Sequence, residues 1–233
     1  IILKCLEGGG WEVLVQPGFF RALKYTLVIC IVSGLISTFS ALALARLIAT
    51  LRLHDRLSWT AMVPEIVGML TLLVPPITLG TGLFLLLRER FDLFTMGAVL
   101  VILVNALFTL AFSLRILASP VYQQMKRFAP LNHSLGIAGL NQWRYVLWPG
   151  IRTPACYALA VSTTLSAGDM GVIALFGTEN LSTLPLLIYR LLGSYQFDQA
   201  AIVSLFLCFL CLLLFLGIER LSRLGTIPGH AVS

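Results

Sequence analysis

Residues Gln199–Ile218 read QAAIVSLFLCFLCLLLFLGI, 20 positions without one Asp, Glu, Lys or Arg. A helix rises about 1.5 Å per residue, so about 20 apolar residues cross the ~30 Å hydrocarbon core of a bilayer. Three further runs share this property: Tyr25–Ala45, Ile66–Leu87 and Leu93–Leu114, of 21, 22 and 22 residues. A membrane β-strand would instead alternate apolar and polar residues over about ten positions. Leu205–Leu216 does not alternate. The spacing therefore predicts an all-α membrane protein.

Composition agrees. The 233 residues are 58% hydrophobic and 11% charged, with a mean hydropathy of +0.95. Water-soluble domains carry roughly a quarter charged residues, so an ordinary globular fold is excluded. A fifth span follows from arithmetic. Only 16 residues separate Arg152 from Asp169, too few to cross the core. A helix starting after Pro154 is thus expected to continue through Asp169 to near Leu175 or Phe176. The five expected spans run from near Phe20 to Ile48, Trp59 to Leu87, Leu93 to Leu117, Pro154 to Leu175 or Phe176, and Gln199 to Ile218.

The net charge of +6 reads as topology rather than as a nucleic-acid surface. With five spans, ten Lys/Arg fall in one set of loops (Arg46, Arg52, Arg56, Arg115, Lys126, Arg127, Arg144, Arg152, Arg220, Arg223) and six in the other. Lys/Arg excess marks the cytoplasmic side. The N-terminus is therefore expected outside and the C-terminus in the cytoplasm. His54, His133 and His230 are too dispersed for a metal site, and the five cysteines give no disulfide framework. Cys30, Cys208 and Cys211 fall inside expected spans and read as small packing residues. The chain starts at Ile1, and an upstream part of the natural protein is expected.

Along the chain, Ser33, Ser37, Ala41 and Ala45 recur every four residues, a small-residue stripe that lets helix backbones approach closely. Pro75-Pro76 should kink or break the second span, because proline removes a backbone donor and clashes with the preceding turn. Glu65 lies near that span's cytoplasmic end and reads as an interfacial residue. Asn105 is the polar residue at mid-depth of the third span, suited to bond a neighbouring helix. Gly177–Phe197 is too interrupted for a lipid-exposed span and suits a short helix lying on the bundle at its outer face; Asp198 is placed to cap the last helix. An intramembrane Asp costs at least about 2.5 kcal/mol. Asp169, set in Ser166-Ala-Gly168-Asp169-Met-Gly171, is thus either bonded to a neighbouring helix or part of a pathway.

The longest polar segment is 119–153, expected on the cytoplasmic side, and 35 residues of connection in so compact a protein should be functional. It reads Leu131-Asn-His-Ser134-Leu135-Gly136, then nine residues, then Val146-Leu-Trp148-Pro149. This resembles the cytoplasmic loop of permeases of bacterial binding-protein-dependent ABC importers, whose pattern is E-A-A, three residues, Gly, nine residues, I-x-L-P. Val146 stands for Ile and Trp148 for Leu, Pro149 is in place, and the E-A-A positions fall on Pro130, Leu131 and Asn132, without the acid. Gly168–Gly177, Thr183–Pro185, Tyr189 and Gly193–Tyr195 are similar to the second half of the tandem thiamine/iron permease family, in particular its thiamine and thiamine pyrophosphate importers.

The resemblance implies the type I ABC importer permease fold: about five transmembrane helices plus a cytoplasmic coupling-helix loop. It implies a transmembrane domain over 19–221, between an outer segment 1–18 and a cytoplasmic tail 222–233, in the bacterial inner membrane. Leu131, Ser134, Leu135, Gly136, Val146, Trp148 and Pro149 would contact an ATPase, and Ser166, Gly168, Asp169 and Gly171 would line the substrate pathway. The implied partners are a cytoplasmic ATPase dimer, a second permease half and a periplasmic substrate-binding protein. ATP and Mg would belong to the ATPase, and this chain would bind no cofactor; it has no Gly-x-x-x-x-Gly-Lys-Ser/Thr phosphate loop. The substrate would be thiamine or its phosphates, with ferric iron or another cation as alternative. A secondary transporter would share the kinked span and the intramembrane Asp, but has no need of the 119–153 segment. A membrane enzyme lacks its nucleophile–base pair or metal cluster at membrane depth.

Overall fold

The computed structural model describes residues 10–54, 63, 66, 68, 70, 73–87, 93–135, 142–177 and 181–224. Among them, regular structure is helical throughout. A 3-10 turn, Gly10–Val15, leads into α1 (Pro17–His54), which opens on a proline, a residue favoured at a first helical position. Then come α2 (Pro76–Leu87), α3 (Leu93–Leu135), a π-helical turn (Gln142–Leu147), α4 (Trp148–Gly168), α5 (Ile173–Phe176), α6 (Leu184–Gly193) and α7 (Phe197–Leu224).

Lengths decide which helices cross and which overshoot. At about 1.5 Å per residue, the 38 residues of α1 span about 57 Å and the 43 of α3 about 65 Å, roughly twice the hydrocarbon core. Both helices outrun their expected limits, because Arg46, Arg52, Lys126 and Arg127 end the apolar run without ending the helix. Much of the polar segment expected as loop is thus a helical extension of α3, which continues through Pro120 and Pro130.

Three described helices are long and apolar enough to cross a membrane: Pro17–Leu53, Gly97–Ala129 and Phe197–Arg220. The chain is a multi-pass membrane protein. The remaining two expected spans differ from simple apolar helices. The second breaks at the double proline: Pro76 opens α2, and the Pro75 carbonyl accepts from the amides of Thr78 (3.0 Å) and Leu79 (3.2 Å). Before the break, Val63, Ile66, Gly68 and Leu70 are helical, with Gly68 buried against Leu114 of α3.

The expected fourth span corresponds to α4, which corrects the expected limits. It starts at Trp148 rather than after Pro154, so its 21 residues reach about 32 Å by Gly168, and no continuation through Asp169 is needed. Pro154 lies inside the helix, and Asp169 is extended (φ −73°, ψ 128°). This helix sits at the centre, packed on α1, α3 and α7. Its buried residues are mostly small or hydroxylic (Ala155, Ala158, Ala160, Ser162, Thr163, Ser166, Ala167). A helix surrounded by protein needs small residues for close approach more than it needs hydropathy.

The stripe on α1 does what its spacing predicts: Ser33, Ser37, Ala41 and Ala45 are all buried. Gly34 beside it marks a close crossing, since a Cβ there would lie 3.1–3.3 Å from Thr163 side chain and backbone. The short helix expected between Gly177 and Phe197 is α6, which buries Leu184 and Leu191 in a cluster with Phe19, Ala22, Ala200 and Val203, and Leu186 in a second cluster with Ile29, Val104 and Phe176. Asp198 is inside the first turn of α7 rather than at its cap; an acid there still suits the positive end of the helix dipole. Of the cysteines expected as packing residues, Cys30 is buried, Cys211 half-buried and Cys208 exposed on the outer face of α7.

Candidate functional site

Two features stand out from the bundle: a polar seam at its centre and a braced segment at one end of the long helices. The seam lies where α1, α3 and α4 meet. The Ser33 hydroxyl is 2.6 Å from that of Ser166, and Asn105 Nδ2 donates to Ser166 Oγ at 3.1 Å. One turn further along, Thr38 meets Ser162 (3.3 Å) and Ser37 meets Ser113 (3.2 Å). All seven residues are buried. Two of these hydroxyls also bond the carbonyl one turn back, Ser33 to Ile29 (2.7 Å) and Ser162 to Ala158 (2.8 Å), as does the neighbouring Thr163 to Leu159. Ser33 and Ser162 therefore keep an acceptor within their own helices while also joining neighbours. Asn105 is different: its Oδ1 has no hydrogen-bond partner among the described residues.

At the end of this seam two chain breaks come together. After Gly168 the α4 helix ends: Asp169 is extended, and a turn at Gly171 and Val172 precedes α5. Asp169 Oδ1 accepts from the Gly171 amide at 3.2 Å, while Oδ2 is buried without a partner among the described residues. A Cβ on Gly171 would lie 3.7 Å from the Ile77 amide nitrogen, just past Pro75-Pro76. A Cβ on Gly80 would come within 3.3–3.4 Å of Leu175 and Val172. The broken second span and the broken end of α4 are therefore in contact. A Cβ on Gly168 would meet nothing within 4 Å. Irregular backbone at membrane depth is tolerated where protein or a water-filled cavity surrounds it. Ser166, Gly168, Asp169 and Gly171 thus occupy one locality, with Pro75 and Pro76 beside it.

The segment 119–153 forms the second feature. Leu131, Ser134 and Leu135 lie on the final turns of α3, Gly136 lies outside the described residues, and Val146 belongs to the π-helical turn. Trp148 and Pro149 open α4 and are exposed. Sequence reasoning missed what holds this segment: Gln124 Nε2 donates to the Val146 carbonyl at 3.2 Å, and the Arg46 guanidinium lies 5.7 Å from the centroid of the Trp143 ring. It also missed Ser33 and Asn105 as partners of Ser166; a mid-span Asn was a signal, but its partner lies 61 positions away. Glu65 lies outside the described residues. A groove of about 730 Å³ between α4 and α7, lined by Thr164, Leu205, Cys208, Phe209, Leu212 and Phe215, is apolar and contains none of the seam residues.

The described helices match those of known transporters. A chain of a bacterial ABC transporter involved in the import of the acidic polysaccharide alginate superposes with a TM-score of 0.75, covering 97% of this chain and 88% of that one at 15% identity. The alginate ABC transporter in complex with alginate pentasaccharide-bound periplasmic protein gives 0.73, covering 94% and 83% at 16% identity. At that identity the likeness concerns the fold. No family model matches the chain. By sequence, it is 37% identical over 210 residues to the thiamine transport system permease protein ThiP of Escherichia coli (strain K12), covering 90% of this chain and 39% of that protein. The ThiP protein of Haemophilus influenzae is 38% identical over 205 residues, covering 84% and 36%. The chain spans about two-fifths of the length of the curated relatives it matches. Along nine-tenths of its length the chain thus shares over a third of its residues with ThiP permease proteins, and its fold is that of a chain of a bacterial ABC transporter.

Proposed function

We propose that this chain forms half of the translocation pathway of an importer for thiamine or its phosphates and couples that pathway to a separate ATPase. The observation that carries the reading is the sequence likeness to thiamine permeases over nine-tenths of the chain. The geometry supports it. The seam of Ser33, Asn105, Ser162 and Ser166 supplies polar groups where α1, α3 and α4 meet, and Asp169 supplies an acidic side chain suited to a cationic thiazolium. The partners are a cytoplasmic ATPase dimer that holds ATP and Mg, a second permease half, and a periplasmic protein that delivers substrate. Closure of the ATPase dimer would rock the two halves between outward- and inward-facing states, a rigid-body transition. The protein would sit in the bacterial inner membrane with the 119–153 segment and the C-terminus in the cytoplasm, as the Lys/Arg excess indicates. The chain itself hydrolyses nothing.

The test uses the full-length permease containing this chain, reconstituted in proteoliposomes with its ATPase. Thiamine-loaded binding protein should stimulate ATP hydrolysis and drive thiamine uptake. ATPase association with no response to thiamine would overturn the substrate and direct the search to ferric iron and other cations. Failure of any ATPase to associate would overturn the coupling role.

A further inference from the structure

The π-helical turn Gln142–Leu147 is the last structure before α4, and three contacts hold it to the long helices. First, Leu147 and Ile151 are fully buried in one cluster with Leu114, Leu117, Val121 and Met125 of α3 and with Ala41, Ala45 and Ile48 of α1. Second, the Arg46 side chain of α1 covers the Trp143 ring, and a guanidinium over an indole face is a favourable cation–π pair. Third, the Gln124 amide of α3 donates to the Val146 carbonyl. That amide is seated on Gly150: a Cβ at position 150 would fall 2.1 Å from Gln124 Nε2 and 2.3 Å from its Cδ, so a side chain there would displace it. π-Helical turns are rare and are found mostly where a function requires the irregularity. Here the widened turn presents a carbonyl sideways to a side chain of a different helix.

We propose that Gln124, seated on Gly150, and Trp143, beneath Arg46, are positioning residues that clamp the turn Gln142–Leu147 to α3 and α1. Force delivered to the cytoplasmic segment then moves the helices carrying Asn105 and Ser33 together with α4, instead of deforming the segment alone. The inference rests on the coupling role proposed above and adds the residues through which it acts. Apolar burial of Leu147 and Ile151 gives the joint strength, but burial is non-directional. The hydrogen bond and the stacked guanidinium supply direction.

The experiment measures thiamine taken up per ATP hydrolysed by the full-length permease with its ATPase and binding protein. Gln124→Leu and Gly150→Ala both remove the hydrogen bond, the second without deleting any side chain, so it serves should the first fail to insert. Trp143→Ala removes the ring, and Trp143→Phe keeps an aromatic face for Arg46. The expected result is normal ATPase association and stimulated hydrolysis, with uptake per ATP lowered about fivefold, the scale of one lost hydrogen bond, in Gln124→Leu, Gly150→Ala and Trp143→Ala. Trp143→Phe should stay near the unaltered ratio. A loss of stability alone would lower uptake and hydrolysis together and leave their ratio unchanged, which would overturn the inference; so would an unaltered ratio in both Gln124→Leu and Gly150→Ala. Absence of ATPase association with the unaltered protein would overturn the coupling role first, and this inference with it.

Discussion

Replacing Ser166 with alanine deletes the hydroxyl that joins α4 to both of its neighbours in the seam. Ser33 loses a partner at 2.6 Å but keeps its bond to the Ile29 carbonyl at 2.7 Å, so its proton is still placed. Asn105 fares worse. Its Nδ2 donates to Ser166 at 3.1 Å, and its Oδ1 already has no partner among the described residues, so the substitution strands the whole buried amide. An unsatisfied buried polar group costs about 1–3 kcal/mol, while a hydrogen bond between membrane helices averages about 0.6 kcal/mol. Ser166→Ala is therefore expected to destabilise the fold by about 2 kcal/mol. Asn105→Leu removes the stranded group instead, leaves Ser166 bonded to Ser33, and should cost less than about 1 kcal/mol. Combined, the two should cost little more than Asn105→Leu alone, a coupling energy of about 1–2 kcal/mol where unlinked sites add to within about 0.5 kcal/mol. Reversible unfolding in mixed detergent micelles measures all three. Additivity of the two single substitutions would refute the seam as described.

The tight crossing at Gly34 predicts that Gly34→Val destabilises by about 1–3 kcal/mol through overpacking, because the atoms it meets include the Thr163 backbone; the same unfolding assay reads it. Gly177→Ala should destabilise by a similar ~1–3 kcal/mol, since its Cβ would fall 2.4 Å from Leu186 and 2.7 Å from the Ile173 carbonyl. Asp169→Asn should abolish or sharply slow thiamine uptake while ATPase attachment survives; unaltered uptake would make Asp169 structural. In a cysteine-free background, Arg127→Cys should react with an impermeant thiol reagent from the cytoplasmic face and Ser194→Cys from the opposite face. The reverse pattern would invert the topology.

Apolar runs were enough to read α1, α3 and α7, because lipid is the solvent for their outer faces and selects hydropathy directly. The double proline announced the break before α2 for an equally local reason. Helix ends were less legible. Arg46, Lys126 and Arg127 look like the end of a span, yet the helices continue, since leaving the bilayer changes which side chains are favourable but not whether backbone hydrogen bonds form. The start of α4 at Trp148 was hidden for the same reason. Its seven leading residues read as loop because they hold Pro149, Gly150, Arg152 and Pro154. The partners in the seam and the Gln124–Val146 bond depend on which helices are neighbours, and sequence spacing carries no information about that.

The position of Asp169 argues about its role more sharply than its polarity did. It follows the last residue of α4, at the negative end of the helix dipole, where an acidic side chain is disfavoured. Its side chain accepts from the Gly171 amide two positions on, a local turn contact that an Asn could also accept. No neighbouring helix among the described residues engages Oδ2. A residue placed to stabilise the bundle would instead reach across it, as Asn105 and Ser33 do toward Ser166. Asp169 therefore costs stability where it stands, and the extended backbone and open space beside Gly168 bring that cost to the point where α4 and the broken second span meet. It follows that Asp169→Asn should leave unfolding unchanged or shift it toward greater stability, even as uptake falls. A substitution that lost stability and uptake in parallel would return Asp169 to a structural role.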